Sequence, residues 1–560
     1  MAKPPGFDLG QTLQQAVALH QQGRLDEADK LYSRVLKADR NQFDALHLSG
    51  MLNHQRGKAG EAFRLVSAAL KVNPRSPDAL ANLGMVLVAL KRAEEGLASV
   101  DKALAIAPGH VEALNTRGNV LLELKRPAEA VAAFDKVVAA APRHLMALIN
   151  RGNARAEAGE PDKAIADYDA ALALAPGHPL ALYNRGNALR ALGRNAEAIA
   201  SYDRALSVMP QHSGALRNRG LALAALNRHQ EAVASFAQAI VLKPDDADAH
   251  FDTAMSLLTL GDYARGFAEY EWRWKRAGMN AKPRFRQPLW LGETPLGSKT
   301  ILLHAEQGLG DTIQFVRYAT LLARGGARVL LEVQPELKDL LSQIEGAAGV
   351  FTRGETLPNF DVQCPLMSLP LALKTTPQTI PAEGPYLRAD AARLVTWKPE
   401  LDTLAAPRVA IAWSGRATHI NDRNRSLTLA ALEPLLALSN VRFVSIQRDP
   451  RPADAERLAA DPRILHLGDG LEDFSDTAAV LALTDLLIAV DTSVLHLAGA
   501  LGRPAWGLIP FQPDWRWGLA GNATSWYPGM ELFRQPEPGD WTNVINQMTE
   551  KLASAGAPVP

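Results

Sequence analysis

Gly308-Leu309-Gly310-Asp311 sets a carboxylate where a β-rich run gives way to a helical one. A carboxylate at such a junction can take a proton from a hydroxyl. It can equally cap the helix, because aspartate accepts from first-turn N–H groups. His304 closes the preceding run and is a second candidate base, since imidazole changes charge near neutrality. Farther along, Asp491-Thr492-Ser493 joins an apolar run to a helical stretch. Free backbone N–H groups, the helix dipole and two hydroxyls there suit a phosphate-like anion, although Thr and Ser also make ordinary N-caps. The loop from Ser414-Gly415 to Arg423-Asn424-Arg425 carries two guanidinium groups. Such groups pair bidentately with phosphate, or merely solvate a loop. His496 lies within an apolar helical stretch and reads as a packed, hydrogen-bonded histidine.

The elements that must hold these residues alternate in an α/β texture after Met279. Strand Thr300–His304 leads through the glycine-rich turn into a helix over 312–323, and 329–334 is another strand. A second series starts at Arg408. It comprises a strand over 409–413, a loop over 414–426, a helix over 427–438 and a strand over 441–447, then a strand over 486–490, a helix over 493–501 and a strand over 504–509. Residues 375–407, rich in Pro and Thr, read as a linker with one helix. Two doubly wound halves with a cleft between them follow, with both loop clusters opening onto it.

The first half has a different grammar. Prolines fall at 74, 108, 142, 176, 210 and 244, and glycines at 84, 118, 152, 186 and 220, all with a period of 34 residues. Alanines at 62, 130, 164, 198 and 232 share it, and Phe134, Tyr168, Tyr202 and Phe236 follow the last four by four residues. A two-helix unit repeats, with glycine allowing close helix approach and proline punctuating the chain. The pattern resembles the tetratricopeptide repeat over residues 9–278, with units starting at 9, 43, 77, 111, 145, 179, 213 and 247. Repeats of this kind coil so that their first helices line a groove.

Amides recur on that face. Asn82, Asn150, Asn184 and Asn218 stand two residues before the glycine, and Asn119, Asn153 and Asn187 one after it. The two sets are three apart and share a helix face. They form either a solvated polar face or a ladder that hydrogen-bonds the backbone of an extended peptide. The ladder resembles that in the repeats of protein O-GlcNAc transferases.

The run from Asp491 to Pro504 resembles the nucleotide-sugar segment of heptosyltransferase-like GT-B glycosyltransferases, and Gly308-Leu309-Gly310-Asp311-Thr312 resembles the acceptor-side loop of that family. The likeness spans residues 298–535. It implies an α-helical repeat solenoid of seven to eight units followed by a GT-B domain of two Rossmann-like halves. The implied divisions are 1–278, 279–390 (acceptor side), 391–535 (nucleotide-sugar side) and a C-terminal helix and tail over 536–560. Asp311 is then the base, with His304 in reserve. Ser414, Gly415, Arg423, Arg425, Asp491, Thr492, Ser493 and His496 serve the donor. Extended glycine-rich donor loops of some GT-B families are absent, so the resemblance does not identify the sugar.

Composition narrows the remaining classes. Lys plus Arg (60) balances Asp plus Glu (60), so no global field argues for nucleic acid. The single Cys364 excludes an internal disulfide framework and any multi-cysteine metal site. Asp246-x-Asp248 lies inside the repeats and reads as a helix start, so no metal is expected. Trp272, Trp274, Trp515 and Trp517 read as packing at the repeat junction and cleft rim. No apolar leader or membrane-length stretch is seen, so a cytoplasmic protein is expected. The resulting expectation is an inverting, metal-independent glycosyltransferase. It uses a nucleotide-sugar as co-substrate, needs no other cofactor, and modifies Ser or Thr of a flagellin-like polypeptide held by the repeats. A non-catalytic repeat scaffold and a glycan or lipid transferase stand as alternatives.

Overall fold

The computed structural model describes residues 8–278, 284–419 and 421–554. The chain divides into two compact units, Met1–Ala222 and Leu223–Pro560. The helix Ser213–Ala225, which opens the repeat expected to start at 213, spans this division, so the last repeats belong to the second unit.

The first unit is built of helix pairs whose first helices begin at Leu9, Phe43, Pro77, Val111, Leu145 and Pro179, and the next repeat begins at Ser213. These are the positions that the 34-residue period indicates. The periodic glycine has a steric reason: a Cβ on Gly152 would lie 2.6 Å from the Tyr168 ring, and one on Gly186 2.5 Å from the Tyr202 ring. The aromatic ring thus occupies the space of the absent side chain, and both tyrosines are almost fully buried. The turn within each pair needs a left-handed residue, supplied by Gly23, Gly57, Gly159 and Gly193 at φ of 72 to 79° and, with some strain, by Lys91 and Lys125.

Two further periodic devices escaped the sequence reading. His110, His144, His178 and His212 cap successive first helices, each Nδ1 accepting from the N–H three residues on at 3.0–3.3 Å. Arg117, Arg151, Arg185 and Arg219, each just before a periodic glycine, pair with Asp101, Asp135, Asp169 and Asp203 of the preceding second helix.

In the second unit the last repeat begins at Ala247, and Asp246 caps that helix by accepting from Ala249 N at 3.0 Å. Two parallel sheets follow. The first has strand order β3-β2-β1-β4, with β1 (Thr300–His304), β2 (Arg328–Val333), β3 (Ala347–Thr352) and β4 (Val362–Pro365). The second has order β10-β9-β8-β5-β6-β7, with β5 (Arg408–Ala412), β6 (Arg442–Ser445), β7 (Ile464–His466), β8 (Leu486–Val490), β9 (Ala505–Ile509) and β10 (Met530–Arg534). Their inner strands are buried on two faces, which is why β1, β5, β8 and β9 are nearly continuous apolar runs, whereas the edge strands β3 and β7 are only partly covered. Val409 and Ile411 of β5 enter one core, Ala410 and Ala412 the other.

Six helices matter for the site: α1 (Leu309–Phe315), α2 (Arg317–Arg324), α3 (Ala391–Leu401), α4 (Phe474–Ala482), α5 (Ser493–Ala500) and α6 (Trp541–Ser554). The stripe Val544, Ile545, Met548 and Leu552 packs α6 onto the second sheet's core. The helix expected over 427–438 is shorter. It is a 3₁₀ turn over Leu429–Leu432 and one helical turn over Glu433–Leu436, because Pro434 supplies no N–H to extend a preceding helix. Cys364 is buried. Trp515 packs edge-on against Tyr263 and Phe267 of the last repeat, and Trp517 stacks on His496. No helix among the described residues is long and apolar enough to cross a membrane.

Candidate functional site

In a parallel sheet, loops open a crevice where the strand order reverses. The second sheet reverses between β8 and β5, so the loop after β5 and the turn from β8 into α5 flank one crevice. The first sheet reverses between β1 and β4, which directs the β1–α1 turn to its own switch point. The two meet through glycine. A Cβ on Gly310 would come within 2.9 Å of the His496 ring and 3.4 Å of Ser493 Cα, so only glycine lets α1 seat this closely on α5. Asp311 is thereby brought beside the start of α5.

Asp311 combines both roles considered for it. Its Oδ2 accepts from Gly308 N at 2.9 Å, closing the first turn of α1, and its Oδ1 pairs with Arg516. Burial pushes the carboxyl upward, Arg516 opposes this, and Asp514 adds to the rise. Arg516 itself is buried, donates to Asp514 Oδ1 at 2.8 Å and to Gln314, and lies over the Trp515 ring at 4.5 Å. Neither Arg516 nor Asp514 was singled out from sequence. The only local signal is a cation between two tryptophans in Trp515-Arg516-Trp517.

On the other wall, Arg425 Nη1 donates to the Asp491 carbonyl at 2.7 Å. Its guanidinium lies directly over Gly415, where a Cβ would meet Nη2 at 2.7 Å. The loop is fixed from behind: Gly415 N donates to Ser426 Oγ at 2.9 Å, and Trp413 N and Ser414 N share Gln447 Oε1. Burial and Asp514 push the Asp491 carboxyl up to about 6 against the pull of Arg425. Thr492 is the N-cap of α5, but its side chain makes no capping bond, and its Oγ1 is buried without a hydrogen-bond partner. Arg425 Nε is buried and unpartnered as well. Two orphaned polar atoms beside a helix N-terminus are the chemistry of an anion site, since buried polar groups are otherwise almost always satisfied. Ser493 opens α5.

His496 is packed, as its apolar helix suggests. Its Nδ1 meets Tyr527 Oη at 2.9 Å, and burial with Arg516 and Arg317 nearby keeps the ring neutral. Two candidates lie elsewhere. Arg423 is exposed, unlike Arg425 two residues on. His304 Nε2 bonds Gln363 Oε1 at 2.8 Å and the ring packs on Phe285, beside the Arg284–Glu332 pair. Burial lowers it to about 4, so the ring is uncharged near neutrality and is engaged by Gln363. Two nearby carboxylates are engaged within the fold: Asp473 caps α4, and Asp476 accepts from Trp397 Nε1 at 2.9 Å.

The amides of the first unit are partly spent on each other. Asn184 Nδ2 and Tyr168 Oη both donate to Asn153 Oδ1 at 2.8 Å, and Asn218 Nδ2 and Tyr202 Oη do the same to Asn187 Oδ1. Asn150 Nδ2 reaches Asn115 at 3.4 Å, and Asn82 Nδ2 meets His47 Nε2 at 2.8 Å. Asn119 is half-buried, and the matching aromatic, Phe134, has no hydroxyl to offer it. The ladder therefore also knits neighbouring helices together, each bond using part of an amide's hydrogen-bonding capacity.

Among known proteins, a tetratricopeptide-repeat model matches residues 55–111, 115–179, 149–215, 183–247 and 217–281, and a second such model matches residues 13–42. The chain thus carries tetratricopeptide repeats from residue 13 to 281. Over 334 residues it is 26% identical to Protein FlbA of Caulobacter vibrioides, the match covering 54% of this chain and 54% of FlbA. The chain spans about half the length of that curated relative. Solved structures similar to it include a tetratricopeptide repeat protein from Parabacteroides merdae, 18% identical with TM-score 0.36, covering 44% of this chain and 98% of that one. YrrB, described as a TPR protein with an unusual peptide-binding site, is 22% identical with TM-score 0.28, covering 33% of this chain and 95% of its own.

Proposed function

We propose that the second unit is a GT-B-type glycosyltransferase that moves a sugar from a nucleotide-sugar to a Ser or Thr hydroxyl of a polypeptide recruited by the repeats. One observation carries this reading: Gly310 seats α1 on α5, which sets the turn that bears Asp311 against the helix start at Ser493. In this reading the donor diphosphate lies at the N-terminus of α5, where backbone N–H groups, Thr492 Oγ1 and Arg425 meet the charge that grows as the nucleoside diphosphate departs. Asp311 accepts the proton of the acceptor hydroxyl, whose oxygen attacks the anomeric carbon from the opposite face. Both Asp311 oxygens already accept one bond, but each keeps a lone pair for the incoming hydroxyl. The two parallel sheets support the GT-B architecture, and the repeats support a peptide or protein partner.

The test is incubation of the full-length protein with uridine-, guanosine- and cytidine-linked sugars, following nucleotide release and, by mass spectrometry, modification of a co-expressed candidate acceptor such as flagellin. One nucleotide class should be consumed. Asp311→Asn should slow transfer by roughly 10²–10⁴, the usual worth of a general base. Neither binding nor turnover of any class would sink the reading in favour of a non-catalytic scaffold.

A further inference from the structure

Arg516 is the cation that no local pattern in the sequence explains, and its placement is unusually specific. It arrives from the segment after β9 and uses three edges of its guanidinium: Nε on Gln314, Nη1 on Asp514 Oδ1 at 2.8 Å and Nη2 on Asp311 Oδ1. Gln314 and Asp311 are three residues apart on α1, hence on one face of the helix. The planar fork thus grips two successive positions of that face while Trp515 supports it from behind at 4.5 Å. The second oxygen of Asp311 is fixed by Gly308 N.

The surroundings of Asp311 pull in opposite directions. Burial and the negative Asp514 favour a protonated carboxyl, and the Asp311 charge in turn raises Glu306 and the Tyr270 hydroxyl nearby. Arg516 and the imidazole of His419 favour the carboxylate. Arg516 alone among them touches the carboxyl. A general base that is neutral at working pH cannot accept a proton, so the group that keeps it charged decides whether it functions.

We propose that Arg516 is the positioning residue of this cleft, holding the Asp311 carboxylate ionised and its Oδ1 edge oriented toward the incoming hydroxyl. This rests on the reading of Asp311 as the base. In the step it serves, the hydroxyl proton passes to Asp311 and the acceptor oxygen bonds to the anomeric carbon. The bond from that carbon to the donor phosphate breaks, and its electron pair leaves with the nucleoside diphosphate. Arg516 changes neither bond; it sets the state and direction of the acceptor of the proton.

The test needs no substrate. Infrared difference spectra of full-length wild type minus Asp311→Asn, taken across a pH series, isolate the Asp311 carboxyl, and the same subtraction is made in Arg516→Met and Arg516→Lys backgrounds. Loss of an opposite charge in contact should move the Asp311 midpoint up by roughly one to three pH units in Arg516→Met, and Arg516→Lys should restore much of it. Asp514→Asn, which keeps the arginine and removes a like charge, should move it down, and it provides a reading if Arg516→Met fails to fold. Equal midpoints in wild type, Arg516→Met and Asp514→Asn would overturn the proposal. With whichever nucleotide-sugar the wild type consumes, Arg516→Met should shift the acid limb of kcat upward by the same interval while donor KM stays put. A wild-type rate in Asp311→Asn overturns the base reading. A slow Asp311→Asn with an unmoved titration in Arg516→Met overturns the positioning role alone.

Discussion

Tyr168 donates its hydroxyl to Asn153 Oδ1 at 2.8 Å across the two helices of one repeat, and it can do so because Gly152 leaves room for its ring. The glycine, the aromatic and the amide, three separate periodicities in the sequence, are one contact in the fold.

That contact predicts the cost of a single methyl. In Gly152→Ala the new Cβ would sit 2.6 Å from the Tyr168 ring, so the helices must part or the ring must leave its rotamer. Overpacking of this kind costs about 1–3 kcal/mol. Thermal unfolding should show a lower midpoint, whereas Gly60→Ala, at a position open to solvent, should not. Equal midpoints for the two variants would contradict the packing account.

The amide ladder predicts a coupled loss. Changing Asn150, Asn184 and Asn218 together to Ala removes the donors to Asn115, Asn153 and Asn187. Each bond is worth about 0.5–1.5 kcal/mol, partly offset by alanine's better helix propensity. Chemical denaturation should therefore detect destabilisation. Any loss of acceptor modification must be measured well below the unfolding midpoint. Wild-type stability would return the ladder to a solvated face.

Thr492→Val separates binding from folding. It removes an unpartnered buried hydroxyl at constant shape, so stability without ligand should hold or rise slightly. If Oγ1 meets a phosphate, nucleoside diphosphate affinity should fall roughly 10- to 150-fold, the equivalent of about 1.5–3 kcal/mol for a bond to a charged group. Arg425→Met should lose affinity on the same scale. Calorimetric titration with nucleoside diphosphates that gave wild-type affinity in both variants would move the donor site away from α5.

His304 gives a pH signature. Burial lowers it from 6.5 to about 4 in the fold, so the folded chain resists a proton that the unfolded chain accepts. The stability this ring allows is complete above 6.5 and is lost as pH falls from 6.5 towards 4. The loss should reach about 3 kcal/mol by linkage. His304→Gln should flatten the stability profile in that window. Parallel profiles for the two proteins would show that the imidazole is not sealed.

The repeats were legible because their information is local and repeated. Helix starts at Leu9, Phe43, Pro77 and onward, the glycine at each crossing and the aromatic that fills it depend on neighbours within one 34-residue unit. The same holds for β1 and β8, apolar runs that need only burial on both faces to be strands, and for Asp246, whose place before a helix makes it a cap. Short strands such as β4 and β7 carry too few residues to announce a period, and Pro434 cut a helix that the apolar pattern prolonged.

What only the tertiary structure decided is which of several equally suitable side chains meet. Asp311 and His304 stand seven residues apart and both end near a turn, yet one pairs with Arg516 and the other is sealed against Gln363. Arg423 and Arg425 share a loop, and only the second lies over Gly415 against Asp491. The partner of Asp311 is 205 residues away, a separation across which sequence spacing says nothing, because the folding of two sheets and not the chain sets the distance. Sequence determined the residue types able to bind an anion or take a proton. Long-range packing, through one glycine seated on α5 and one buried arginine, decided which of them share a crevice.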